Sequence, residues 1–168
     1  LVLLVAFGLR LAAARGELSF DEFWSWELAA NAQQGVVEIL LLRLDNNHIL
    51  NTLVMYALGP LAEPFVYRLP AVFAGCVGLV FGYLLGRRRQ AGLPVLALLG
   101  LSHLMILYGS EARGYAYLTA CTLAAWWFLE RFLDQPQFWS RLGFAVTCSL
   151  GFLAQLPFAF AYAGFFVY

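Results

Sequence analysis

Three stretches of this chain, Ala71 to Gly86, Ala91 to Ser110 and Leu142 to Tyr168, contain no Asp, Glu, Lys or Arg. Each is close to the roughly 20 residues that an α-helix needs to cross a bilayer core. A soluble fold of 168 residues with 62% hydrophobic and 12% charged residues would leave apolar surface uncovered, because soluble domains run at roughly 45–50% apolar and about 25% charged. The pattern predicts an all-α integral membrane protein, since irregular backbone and open strand edges do not survive in lipid. No alternating strand pattern competes with it.

The opening run predicts a truncated first span over residues 1–14. A signal peptide is the alternative, but the run lacks a basic n-region and an Ala-x-Ala site. Both ends read as cut, so the expectation is the N-terminal part of a larger protein. An outer loop follows over 15–64, then spans over 65–86, 92–108, 114–132 and 142–168, about five in all. The ten basic residues are all Arg. Arg87, Arg88 and Arg89 follow one span, and Arg131 and Arg141 bracket a link two spans later, so the positive-inside rule puts both links on the cytoplasmic side. Residues 15–68 hold seven acids against three arginines, a formal −4, and belong outside with Glu111 and Arg113. Cys76, Cys121 and Cys148 lie within spans, without pairing or metal spacing, and act as small apolar groups.

Two surface helices are expected in the outer loop. Ser19-Phe20-Asp21-Glu22 reads as a capping box, with Glu22 reaching back to the Ser19 amide. Phe20, Phe23, Trp24 and Leu28 then form an aromatic stripe opposite Asp21, Glu22, Ser25 and Asn31, so this helix should lie on the membrane with its aromatic face down. A second helix fits 48–58, with Asn46 or Asn47 as its cap and Leu50, Leu53, Val54 and Ala57 as its stripe. It would reach only about half of a roughly 30 Å core. Trp24, Trp26, Trp126, Trp127 and Trp139 fall near boundaries and suit an aromatic belt.

Asp21, Glu22, His48, Arg68, Glu111 and Arg113 all map to the outer ends of spans or to the surface helices, where bundle packing could gather them. Carboxylate, imidazole and guanidinium groups at a membrane surface suit chemistry on a lipid-linked phosphate, with Arg holding the phosphate and a carboxylate taking a proton. Helical spacing has Glu111 facing Tyr115 and Arg113 facing Tyr117. The rival is a transporter or channel subunit, which would need charged sites near the midplane, whereas charges are expected only at the outer ends of these spans. A non-catalytic membrane assembly subunit would not need the acid-rich, capped first loop.

These residues, taken in order, resemble a family. Asp21-Glu22, then Asp45-Asn46-Asn47-His48 opening an apolar helix, then Tyr67-Arg68-Leu69-Pro70 with Ala74-Gly75, then Tyr108-Gly109-Ser110-Glu111-Ala112-Arg113-Gly114-Tyr115 look like the membrane glycosyltransferases of the GT-C fold. The similarity is to the protein-mannosyltransferase-like and aminoarabinose-transferase-like groups. It implies an enzyme that transfers a sugar, with inversion, from a polyprenyl-phosphate donor to a glycan, lipid or protein acceptor at the outer face of the bacterial inner (plasma) membrane. Membrane lipid is the other implied partner, and nucleic acid is not one.

By that resemblance Asp21 deprotonates or orients the acceptor hydroxyl, with Glu22 beside it, and Arg68 contacts the donor phosphate. His48, Glu111 and Arg113 join the substrate-binding set. The family text His-Pro-Pro-Leu is here His48-Ile49-Leu50-Asn51, without either proline. No residue is assigned to a metal and no cofactor is required, with a divalent cation left open. The capping box commits Glu22 to the backbone and leaves Asp21 for the chemistry, ionised by the helix N-terminus.

Overall fold

The computed structural model describes residues 1–33, 35–41 and 48–168, and among these the chain is all helical, with no strand. The helices are α1 (Val2–Ala13), α2 (Phe20–Ala30), α3 (Val36–Leu40), α4 (Ile49–Leu58), α5 (Pro64–Arg88), α6 (Gly92–Leu101), α7 (His103–Tyr108), α8 (Gly114–Asp134), α9 (Phe138–Ala154) and α10 (Phe158–Phe165). The expected surface helices are present as α2 and α4, and the stretch expected to cap α4, Asn46 and Asn47, lies outside the described residues. The short α3 had no counterpart in the sequence reading.

Two long apolar runs do not form single helices. The run over 92–108 breaks at Ser102, whose extended backbone (φ −62°, ψ 127°) separates α6 from α7. The run over 142–168 starts earlier, at Phe138, and breaks before Pro157, which caps α10. Among the described residues one helix, α5, is long and apolar enough to cross a membrane; α1, α4, α6 and α9 are apolar but shorter. Hydropathy sums over a window and does not register one extended residue, which is why the run was read as one span.

The helices alternate in direction. Gly86 approaches Val95 and Gly75 approaches Gly109, so α5 runs antiparallel to α6 and α7. Gly78 lies against Ala120, and Ala71, Ala74, Ala116 and Ala120 form a cluster of small residues, so α5 and α8 run parallel in close contact. Small side chains at the contact let the two helix backbones approach closely. Gly143 against Phe128 and Gly114 against Ala154 make α8 and α9 antiparallel. Cys121 and Cys148 are unpaired and pack with Ala125 and Phe158 in the core between them.

This connectivity sorts the charges to two ends. At the end opposite the candidate site, Arg88 Nε meets Glu130 Oε2 at 2.8 Å, Arg89 Nη2 meets Glu130 Oε1 at 2.6 Å, and Arg88 also pairs with Asp134. The arginine triplet and the link after α8 therefore share one end of the bundle.

The two surface helices pack their polar faces into the bundle. In α2 the buried residues are Glu22, Ser25 and Ala29, while Phe20, Phe23 and Trp24 are exposed. In α4 the buried residues are Asn51, Thr52 and Met55, not the leucine stripe. Polar side chains turn inward because their hydrogen-bond partners are there, and the outside of the bundle is apolar.

Candidate functional site

Four helices and one turn build the site. Ser19 caps α2, His48 caps α4, Glu63 caps α5 and Arg113 caps α8, and the 109–113 turn closes the gap between α7 and α8. The starts of α2, α4 and α8 lie together here, where helix ends carry partial positive charge, while α5 contributes Arg68 from its second turn.

Glu22 is at the centre of it, fully buried. Its Oε2 accepts from the Ser19 amide at 2.7 Å, closing the capping box, and from Arg68 Nη2 at 2.6 Å. Its Oε1 accepts from Arg68 Nε at 2.8 Å and from the Ala112 amide at 2.7 Å. Burial opposes ionisation of Glu22, but the Arg68 hydrogen bonds, with the two amides, outweigh it and hold the carboxyl below its ordinary value.

Arg68 is equally committed. Beyond Glu22, its Nη1 donates to the carbonyls of Ala14 (3.1 Å) and Gly16 (3.0 Å), and its Nη2 to that of Glu17 (2.7 Å). All five guanidinium N–H groups thus have acceptors within the chain, and Arg68 ties the end of α1 and the start of α2 to α5.

The 109–113 turn is gripped from both sides. While Glu22 takes the Ala112 amide, Asn51 Nδ2 donates to the Ala112 carbonyl at 2.6 Å. Ala112 and Asn51 are both fully buried. This clamp presents the flanking Glu111 and Arg113. Because the segment is a turn and not a helix, the expected pairings of Glu111 with Tyr115 and Arg113 with Tyr117 do not form. Instead, Arg113 Nη1 lies 3.6 Å from Glu111 Oε2, and Arg113 Nη2 pairs with Asp21 Oδ2 at 2.8 Å. Its guanidinium carbon sits 4.7 Å from the Tyr115 ring centroid, and Nη2 also reaches the Tyr115 hydroxyl at 3.2 Å. Asp21 is therefore paired and not free, as the capping argument had it. The Arg113 Nε, by contrast, is buried without a partner.

His48 is buried, with its imidazole against the Ala154 carbonyl and edge-on to Tyr115 at 5.6 Å. Burial, with Arg113 nearby, holds its imidazole down to about 4, so it is neutral at physiological pH. Tyr108 stacks on Tyr115 at 4.6 Å. Burial raises the Glu111 carboxyl, Arg113 works against that rise, and Glu22 adds to it.

All six residues singled out from the sequence, Asp21, Glu22, His48, Arg68, Glu111 and Arg113, thus meet at one end of the bundle. Among the described residues no group of three or more His, Cys, Asp and Glu is placed to hold a metal ion.

Two participants escaped the sequence reading. Asn51 was visible as the polar residue interrupting an apolar helix. Arg10 was visible as the one charge inside the opening run, and it corrects the expectation of charge-free spans. It is buried in α1 and donates to the carbonyls of Ala6 (3.0 Å), Gly100 (3.2 Å) and Met105 (3.0 Å). The Gly100 carbonyl lies just before the break at Ser102, so Arg10 pins the α6–α7 break.

Compared with protein-family models, with curated proteins and with solved structures, the chain matches none.

Proposed function

We propose that this chain is an integral membrane glycosyltransferase that moves a sugar from a polyprenyl-phosphate donor to an acceptor at the outer membrane face. The observation that carries the reading is the site itself: two guanidiniums, three carboxylates and a neutral imidazole gathered where α2, α4 and α8 begin. Converging helix N-termini favour an anion such as phosphate.

Membrane insertion is supported by the surface. Large apolar residues are exposed along the helices, among them Phe73 and Val80 on α5, Leu98 on α6, Trp139 on α9 and Phe160 on α10, while polar side chains face inward. Exposed apolar surface of this extent suits lipid contact. The acid-rich loop at one end and the arginine-rich links at the other follow the positive-inside rule, which puts the site outside.

Within this reading the roles divide by what each group has to spare. Arg68 has no free donor, so it acts by positioning Glu22 and the 109–113 turn. Arg113, with an unpartnered Nε and a face on Tyr115, takes the donor phosphate. Asp21, on the rim of the cluster, receives and orients the acceptor hydroxyl once the phosphate draws Arg113 away. The rival reading, a transporter, has Arg10 on its side; but Arg10 is held by three carbonyls at a helix break, which accounts for it as a structural pin.

Membrane vesicles carrying the full-length protein, given radiolabelled polyprenyl-phosphate mannose or polyprenyl-phosphate aminoarabinose, test the reading. Transfer of label to membrane-borne acceptor is expected, with the donor KM raised at least tenfold by Arg113→Ala. Absence of transfer from every donor of this class would contradict it.

A further inference from the structure

The end of the bundle opposite the candidate site spends some of its arginines and leaves others over. Arg88 and Arg89 are taken up by Glu130 and Asp134. Asp134 is the one acid between Arg131 and Arg141, so its pairing with Arg88 leaves that stretch without a carboxylate of its own. Arg131 and Arg141 are both exposed, and among the described residues neither side chain has an ion pair or a hydrogen bond. The Arg131 guanidinium carbon lies instead 5.5 Å from the Trp127 ring centroid. Phe128 of α8 meets Gly143 of α9; Arg131 lies three residues beyond that contact and Arg141 two, both toward the α8–α9 link. At the helical rise the two arginines therefore stand within about 1.5 Å of the same height on neighbouring helices. Between them the chain exposes three large apolar side chains, Leu133, Phe138 and Trp139, each by more than half.

We infer that this end of the bundle binds an anionic phospholipid, with the headgroup phosphate held by Arg131 and Arg141 and the acyl chains lying on Leu133, Phe138 and Trp139. The inference rests on the membrane insertion in the proposed function and is independent of sugar transfer. Two cations without a protein counter-ion call for an anion, and a guanidinium recognises phosphate well. The exposed apolar residues beside them call for hydrocarbon, which a soluble anion does not bring. A phospholipid supplies both in one molecule. The positive-inside rule puts this end in the leaflet that carries the anionic lipids, where basic groups between helices take headgroups.

The protein, purified in a mild detergent, is titrated with phosphatidylglycerol and separately with phosphatidylcholine, and bound lipid is measured by native mass spectrometry. Phosphatidylglycerol should bind more tightly. Each arginine near the surface is worth about fivefold in affinity, the equivalent of about 1 kcal/mol. Arg131→Gln combined with Arg141→Gln should thus weaken phosphatidylglycerol by roughly 25-fold and leave phosphatidylcholine unchanged. Both side chains are exposed, so the double variant should fold. Lysine at both positions should stay within about threefold of the wild type, since an ammonium still meets phosphate as a point charge. Arg15→Gln, at the other end, should have no effect, and Trp139→Ala should weaken both lipids. Equal affinity for the two lipids, or a double glutamine variant with wild-type affinity for phosphatidylglycerol, would overturn the inference. Displacement of phosphatidylglycerol by inorganic phosphate would overturn it in favour of a soluble anion. A protein that alkaline carbonate strips from membranes would overturn the membrane reading as well, whereas an inserted protein with no preference for the anionic lipid would overturn this inference alone.

Discussion

Glu22 and Arg68 meet side by side in the interior, with Nε–Oε1 at 2.8 Å and Nη2–Oε2 at 2.6 Å, and neither is appreciably exposed. A buried pair of this kind is costly to break, because the partner left behind is an uncompensated charge. Its function here is geometric: it joins α2, α5 and the turn that carries Glu111 and Arg113.

Removing one partner should therefore unfold the site before it alters donor binding. Arg68→Ala and Glu22→Gln are each expected to cost about 3–5 kcal/mol, seen as a large fall in Tm in detergent. Arg68→Lys should rescue little, because an ammonium cannot make the side-on pair and reach three carbonyls as well. A folded Arg68→Ala protein whose only defect is donor affinity would contradict this view and restore the direct phosphate contact that the family resemblance implies.

Asn51 is the second half of the clamp. Asn51→Leu leaves the buried Ala112 carbonyl without its side-chain donor, a loss of about 1–3 kcal/mol, and loosens the turn. Reduced Tm together with faster amide exchange at Ala112 and Arg113 is the expected outcome.

His48 gives the fold a pH dependence. The unfolded chain takes up a proton on this residue near 6.5, the folded chain only near 4. Between those values the unfolded state binds more protons, so stability falls as pH drops through that window. The loss should reach roughly 2–3 kcal/mol near pH 4. Measured from pH 7 to about 5, above the range where Glu22 begins to lose its own contribution, Tm should fall more steeply in the wild type than in His48→Asn, in which the raised Glu111 carboxyl still contributes in the opposite direction.

Gly114 opens α8 with no room for a side chain. A Cβ there would fall on the Ala154 carbonyl and within 2.7 Å of His48 Nδ1. Backbone cannot move aside as a flexible side chain can, so Gly114→Ala should cost about 1–3 kcal/mol and displace Arg113, its neighbour. Lower Tm and impaired transfer in the same variant would agree with this.

What the sequence could reveal followed from how local each signal is. The capping box at Ser19 and Glu22 is a four-residue pattern and was legible. The partners of Glu22, Arg68 at 46 residues' separation and the Ala112 amide at 90, depend on helix packing and were not. Charge placement along the chain sufficed to gather the six candidate residues at one end, because alternating helix directions fix which ends lie together. The stripes of α2 and α4 were legible, but which elements their polar faces pack on was not, because that depends on Glu22 and Asn51 finding partners in the distant 109–113 turn. The break at Ser102 stayed hidden because its cause, Arg10 reaching the Gly100 carbonyl, lies 90 residues away.

Asp21→Asn is the most direct probe of the central claim. The substitution is nearly isosteric and sits at a partly exposed ion pair, so Tm should change little. In vesicles carrying the full-length protein, transfer of labelled sugar from a polyprenyl-phosphate donor should fall to background in this variant while the wild type transfers. Wild-type rates of transfer from the Asp21→Asn protein would contradict the account.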